Sequence, residues 1–201
     1  MIKAVIFDMD GVLIDTEPLH YRCWKEILKE HYDVEFDYDI YLPCIGSTRQ
    51  FFRDLVKEHY GVDFPDLDEM NRIMKVKKSQ IVKAEGFPEM PGVENALKQL
   101  KEMGYKLAVA SSSPESEIMD AMTRLGLMPY FDSITSGDHV EHPKPEPDTF
   151  LLAAERLNVP TDNCLVIEDS TNGGRAALAA KMDCVWLHNP HSGHQDIPNA
   201  I

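Results

Sequence analysis

Short apolar runs alternate with helix-length amphipathic stretches through most of this chain, and no other feature constrains the fold as much. The runs cover residues 4–7, 107–110, a weaker 133–135, 165–167 and 184–187. Between them, helical periodicity covers 93–103 behind Pro91-Gly92, 114–125, 149–157 behind Pro147-Asp148, and 171–180 behind Ser170. Ser113 has the chemistry of an N-cap, with Pro114 at the first helical position. Strands that alternate with helices of roughly 10–15 residues predict an α/β fold with a doubly wound, Rossmann-like parallel sheet.

Residues 17–86 break that rhythm. They carry helix patterns at 19–31, 48–60 and 67–83 and no strand pattern. With 201 residues, 43% of them hydrophobic, the chain can bury a large core and still carry a smaller unit. The expected organisation is therefore a core of residues 1–16 and 87–201 with an all-helical cap, 17–86, inserted after the first strand. A cap of this kind can close over a site and exclude water.

Each apolar run ends in polar residues. "AVIF" runs into Asp8-Met9-Asp10-Gly11 and "LAVA" into Ser111-Ser112-Ser113. "SITSG" leads through Asp138 to His142-Pro143-Lys144-Pro145, and "LVI" into Glu168-Asp169-Ser170. In a parallel sheet all carboxyl ends share one edge, where open α/β sheets bind ligands. The four clusters should therefore converge on one pocket. Asp8 and Asp10 alone would be a liability, because adjacent carboxylates at the end of an apolar strand repel each other and resist desolvation. A cation removes that cost. Asp8 facing Asp169 makes a hard oxygen site suited to Mg²⁺ and a phosphate oxygen. Lys144 adds positive charge near a nucleophile, and Ser111 a hydrogen bond to phosphate. A carboxylate nucleophile needs no base to activate it, and a second carboxylate can serve as acid and base.

Charge and cysteine usage narrow the partners. Lys and Arg number 20 against 34 Asp and Glu, a formal net charge of −14. That balance argues against nucleic acid and against an anionic membrane. The amino terminus lacks the pattern of a signal peptide, and no apolar run reaches the ~20 residues that span a bilayer. Cys23, Cys44, Cys164 and Cys184 are dispersed and read as reduced thiols. A cytoplasmic monomer acting on a small-molecule phosphate ester is the expectation. His188, His191 and His194 sit in a polar Gly/Pro segment and read as a surface loop.

Asp8-x-Asp10-Gly11-Val12, Ser111, Lys144 and Glu168-Asp169 resemble, in order and spacing, the four motifs of the haloacid dehalogenase superfamily. The likeness covers nearly the whole chain and is strongest to the β-phosphoglucomutase-like branch. It implies that Asp8 is the nucleophile and Asp10 the acid/base. It also implies Mg²⁺ bound by Asp8, the Asp10 carbonyl and Asp169, with Glu168 as a further acidic ligand. In the cap, Thr16, His20, Arg22 and Trp24 resemble the mutase pattern, as do Gly46-Ser47-Thr48-Arg49 and Lys77, which with Ser112 and Ser113 would bind substrate. Mutases follow the serine cluster with a basic residue and an Asn, whereas this chain has Pro114-Glu115. A carboxylate there would repel a second phosphate, so the resemblance favours a sugar-phosphate phosphatase over a β-phosphoglucomutase. A non-enzymatic phospho-aspartate receiver fits least, because Asp10 would shorten the life of its phosphoaspartate.

Overall fold

The structure is a computed structural model that describes residues 1–45, 47–64, 66–197 and 200. In chain order the elements are β1 (Ala4–Phe7), α1 (Thr16–Tyr32), α2 (Tyr38–Tyr41), α3 (Arg49–Tyr60), α4 (Leu67–Glu85), α5 (Val93–Glu102), β2 (Lys106–Ser111), α6 (Glu115–Arg124), β3 (Ser133–Ser136), α7 (Asp148–Leu157), β4 (Cys164–Glu168), α8 (Thr171–Ala179) and β5 (Asp183–Trp186). Every apolar run of the sequence is a strand. The fold is α/β, with all described strands parallel in the order β3-β2-β1-β4-β5.

Both faces of the sheet are covered, which is why β1 is buried along its whole length. Ala4 and Ile6 pack with Ala108, Ala110, Cys164 and Val166 against α7 and α8. Val5 and Phe7, one residue out of phase, pack with Leu107 and Val109 against α5 and α6. Period-two alternation thus assigns each strand residue to one of two apolar layers.

The chain divides into two compact units: Met1–Asp15 with Phe87–Pro190 and His194–Ile201, and Thr16–Gly86 with His191–Gly193. The division differs from the expected one in two places. Thr16 is the first residue of α1, so its backbone belongs to that helix. Residues 191–193 group with the helical unit, where a Cβ on Gly193 would lie 3.2 Å from Ile45 Cγ2.

The helical unit has its own aromatic core. Trp24 of α1 stacks on Phe52 of α3 at 4.5 Å between ring centroids, and the buried Phe64 meets Trp24 edge-on at 5.8 Å. Its helices begin on good caps: Thr48 Oγ1 accepts from the Phe51 amide, and Asp66 Oδ1 from the Glu69 amide. Lys77 of α4 is buried and its ammonium lies 2.6 and 2.7 Å from the Glu30 carboxylate oxygens of α1. Lys77, expected from the resemblance to bind substrate, is held in this ion pair, its side chain aimed at α1 by helical phase. Arg22 is likewise engaged, by Glu26 and Glu85. Among the described residues no helix is long and apolar enough to cross a membrane.

Phe64 is 1% exposed at the centre of this aromatic cluster. Phe64→Ala should lower the stability of the helical unit by about 3–5 kcal/mol, read as a shifted denaturation midpoint. A shift under about 1 kcal/mol would contradict the packing described.

Candidate active site

The β1 ladder stops at Phe7, and the Asp8 amide still donates to Ile167 O at 3.0 Å. Met9 then bends the chain, and Gly11 takes φ +77°, a left-handed conformation suited to glycine. Asp8 and Asp10 consequently enter different surroundings instead of standing side by side along a strand. Asp8 is 7% exposed, and Asp10 is half-buried.

Lys144 is the partner of Asp8. Its ammonium donates to Asp8 Oδ1 at 2.7 Å and to Glu168 Oε1 at 2.8 Å, with the lysine side chain 4% exposed. Read from its two flanking prolines alone it could be an exposed loop residue; it is instead the hinge of the site. Burial pushes the Asp8 carboxyl well up from the ordinary carboxylate range, Lys144 pulls it down, and Glu168, Asp10 and Asp169 push it up again. Burial likewise opposes the charged form of Lys144, but Asp8 and Glu168 outweigh it and hold the ammonium above the ordinary lysine value.

Asp10 is held by serines. Ser113 Oγ donates to Asp10 Oδ2 at 2.9 Å, while Ser111 Oγ stands farther off at 3.5 Å and accepts from the Ser113 amide at 3.0 Å. The capping role expected of Ser113 is therefore corrected. Pro114 precedes α6 without a side-chain cap, and the Glu115 amide donates to Asp138 Oδ2 instead. The Glu115 carboxylate reaches His139 Nε2 at 3.3 Å. Ser112 is exposed.

Asp8, Glu168 and Asp169 offer ligand oxygens within 4.8 Å of one another, all buried. It is the one such group of three or more acidic, His or Cys ligands among the described residues, so the three C-terminal histidines make none. The donors are hard oxygens, and four carboxylates gather here against one ammonium, an excess of negative charge that a divalent cation would offset. Space for the cradle depends on Gly11, where a Cβ would fall 1.8 Å from Asp169 Oδ2. Glu168 differs from the two aspartates. Its Oε1 accepts from Lys144, and its Oε2 accepts from the Asp169 amide, the Ser170 amide and Ser170 Oγ at 2.8–2.9 Å. Both Glu168 oxygens thus hold the loop and Lys144 in place, and Asp8, Glu168 and Asp169 together are the acidic residues that could hold a cation.

Several contributors escaped the sequence reading. Gly173 leaves room for Glu168, since a Cβ there would lie 1.6 Å from Oε1. A Gly-Gly pair inside a helix pattern was the available signal. Asn189 Nδ2 donates to Gly11 O at 3.2 Å, and nothing in its local sequence announces it. In the helical unit, His20 and Arg49 line a cavity of about 310 Å³ with Glu17, Tyr41, Ser47 and Thr48. Thr16 is buried at the start of α1, and Gly46 lies outside the described residues.

A family model described as haloacid dehalogenase-like hydrolase matches residues 5–187. The phosphorylated carbohydrates phosphatase of Thermotoga maritima is 35% identical over 96% of this chain and 88% of its own length. The fructose-1-phosphate phosphatase YqaB of Escherichia coli is 35% identical over 90% of this chain and 94% of its own. Among solved structures, β-phosphoglucomutase of Clostridium difficile superposes with a TM-score of 0.70 at 26% identity, covering 99% of this chain and 92% of that one.

Because the folded-state Asp8 carboxyl is raised, its contribution to stability is present below the ordinary value of 3.8 and is lost as pH rises through the raised value. A cation held by this acidic cluster would restore it. Added Mg²⁺ should therefore raise the thermal unfolding midpoint by an increment that grows as pH increases above about 4. Gly11→Ala should abolish the increment, because its Cβ would overlap Asp169. An increment independent of pH, or one that survives Gly11→Ala, would refute the site.

Proposed function

The chain belongs to the haloacid dehalogenase-like hydrolases and is an enzyme of that family, and from this premise we propose that it hydrolyses phosphorylated carbohydrates by way of an aspartyl-phosphate on Asp8. The observation that carries the reading is the contrast between two aspartates two residues apart. Asp8 is buried and pinned through one oxygen by Lys144, and its other oxygen has no hydrogen-bond partner among the described residues. That oxygen attacks phosphorus. Asp10, half-buried and oriented by Ser113, protonates the leaving oxygen. Asp10 then takes a proton from water, the water oxygen bonds to phosphorus, the Asp8–phosphorus bond breaks, and both carboxylates return to their starting state. When Asp8 and Asp169, with the Asp10 carbonyl implied by the resemblance, hold Mg²⁺, the ion screens the attacking carboxylate from the anionic phosphoryl group.

A carbohydrate phosphate as substrate is supported by the two relatives, whose names give phosphorylated carbohydrates and fructose 1-phosphate. The cytoplasmic monomer expected from the sequence, independent of nucleic acid and membrane, is part of the same proposal. One observation favours a mutase as a second reading: Ser47, Thr48 and Arg49 border the cavity of the helical unit. The sequence Pro114-Glu115, in place of the mutase's basic residue and Asn, counts against it.

A panel of phosphorylated sugars with Mg²⁺, read both for phosphate release and for isomer formation, separates the two. Release without isomerisation is expected. Isomer formation from β-glucose 1-phosphate with a trace of the bisphosphate would establish the mutase instead. Asp8→Asn should reduce turnover by at least ~10³-fold with unchanged circular dichroism; turnover close to wild type would sink the mechanism.

A further inference from the structure

The Lys144 ammonium has a third neighbour that the acidic cluster does not supply. Phe150 of α7 is fully buried, and Lys144 Nζ lies 4.5 Å from the centroid of its ring. We propose that Phe150 is a positioning residue whose ring face fixes the Lys144 ammonium between Asp8 Oδ1 and Glu168 Oε1, and thereby sets the orientation of the Asp8 carboxylate for attack. The catalytic half of this proposal rests on the phosphatase reading; the contact itself does not.

An ammonium carries three N–H groups. Two are answered at 2.7 and 2.8 Å by Asp8 and Glu168, and no third polar partner exists among the described residues. With the side chain 4% exposed, little water is available to solvate what remains. An aromatic ring is negative on its face and attracts a cation within about 6 Å of its centroid, most strongly when both are desolvated. An aliphatic side chain could fill the same volume but would offer no such face. The placement follows from local structure. The loop after Lys144 turns directly into α7, where the Phe150 and Leu151 amides both donate to Pro147 O at 3.0 Å. That first turn brings the ring back beneath the ammonium six residues on, inside the apolar layer that also contains Ile6 and Val166. Two carboxylates compete for one flexible lysine, and each could take it alone. A third attraction from the apolar side holds it bridging both.

The test replaces Phe150 in the full chain with its mono-, di- and trifluorinated analogues, which keep the ring's shape while withdrawing electron density from its face, and adds Phe150→Leu. For hydrolysis of a phosphorylated sugar, kcat should fall stepwise to about tenfold below wild type, with KM little changed. The denaturation midpoint should fall in the same order, and in a Lys144→Met background that order should vanish. A merely structural role for the ring would not follow its electron density. If the wild-type protein turns over sugar phosphates and kcat is flat across the series, the proposal is wrong. If the wild-type protein releases no phosphate, the phosphatase reading fails on its own account, and the midpoint series still decides the contact. A flat midpoint series in the Lys144 protein overturns it whether or not Lys144→Met folds. A slope that persists without Lys144 overturns it too.

Discussion

The ammonium of Lys144, within 2.8 Å of both Asp8 and Glu168, is what permits the loops beyond β1 and β4 to bring acidic residues into one buried place. Breaking a buried charge pair by removing one partner costs about 3–5 kcal/mol, because the other charge is left without compensation. Here one cation answers two carboxylates, so its removal would strand both. The residual negative charge explains why burial and the neighbouring acids raise the Asp8 carboxyl even with Lys144 in place. As a set of protein groups alone the site keeps an excess of negative charge, which a divalent cation held by its acidic cluster would offset.

Around that pair the chain uses small residues and backbone amides with economy. Glu168 accepts three hydrogen bonds on Oε2 from the two residues that follow it, so its carboxylate fixes the turn that presents Asp169. Gly173 admits Glu168 and Gly11 admits Asp169, in each case at distances that no Cβ could tolerate. Asp10 is handled differently. It keeps some exposure and accepts from the Ser113 hydroxyl, while Asp8 is buried against Lys144. The same residue type meets two environments because the strand ends between the apolar run and the second aspartate.

The sheet, its flanking helices and the helical unit were legible because they are written in local periodicities, two for strands and 3.6 for helices. The convergence of Asp8, Ser111, Lys144 and Asp169 was legible because parallel topology places all strand ends on one edge. What the sequence did not disclose depends on partners distant in the chain. Lys144 and Asp8 are 136 residues apart, and Lys77 and Glu30 are 47 apart. A lysine on a helix reads the same whether it faces a carboxylate or a ligand, so the pairing of Lys77 with Glu30 was not legible. Ser113 was misread for a related reason. Serine before proline at a helix start has the composition of a cap, and only the third dimension reveals that its hydroxyl goes to Asp10, 103 residues away.

Strand parity explains why these particular partners meet. Ala4 and Ile6 lie in the layer shared with α7 and α8, so Asp8, the next residue of that phase, continues toward the same side. On β4, Val166 lies in that layer and Glu168 follows it. Phe7 is paired in register with Ile167, which sets Asp8 and Glu168 one step beyond the last rung of the same ladder. A cation able to reach both had to arrive from the α7 side, and the loop into α7 supplies Lys144 while its first turn supplies Phe150. Ser111 has the opposite phase, after Leu107 and Val109, and it stands with Ser113 beside Asp10 instead. A slip of one residue in β1 would exchange the two layers and turn Asp8 toward the α5 and α6 side, where Val5 and Phe7 now pack among apolar residues. The register that buries the core is therefore the same constraint that pairs Asp8 with Lys144.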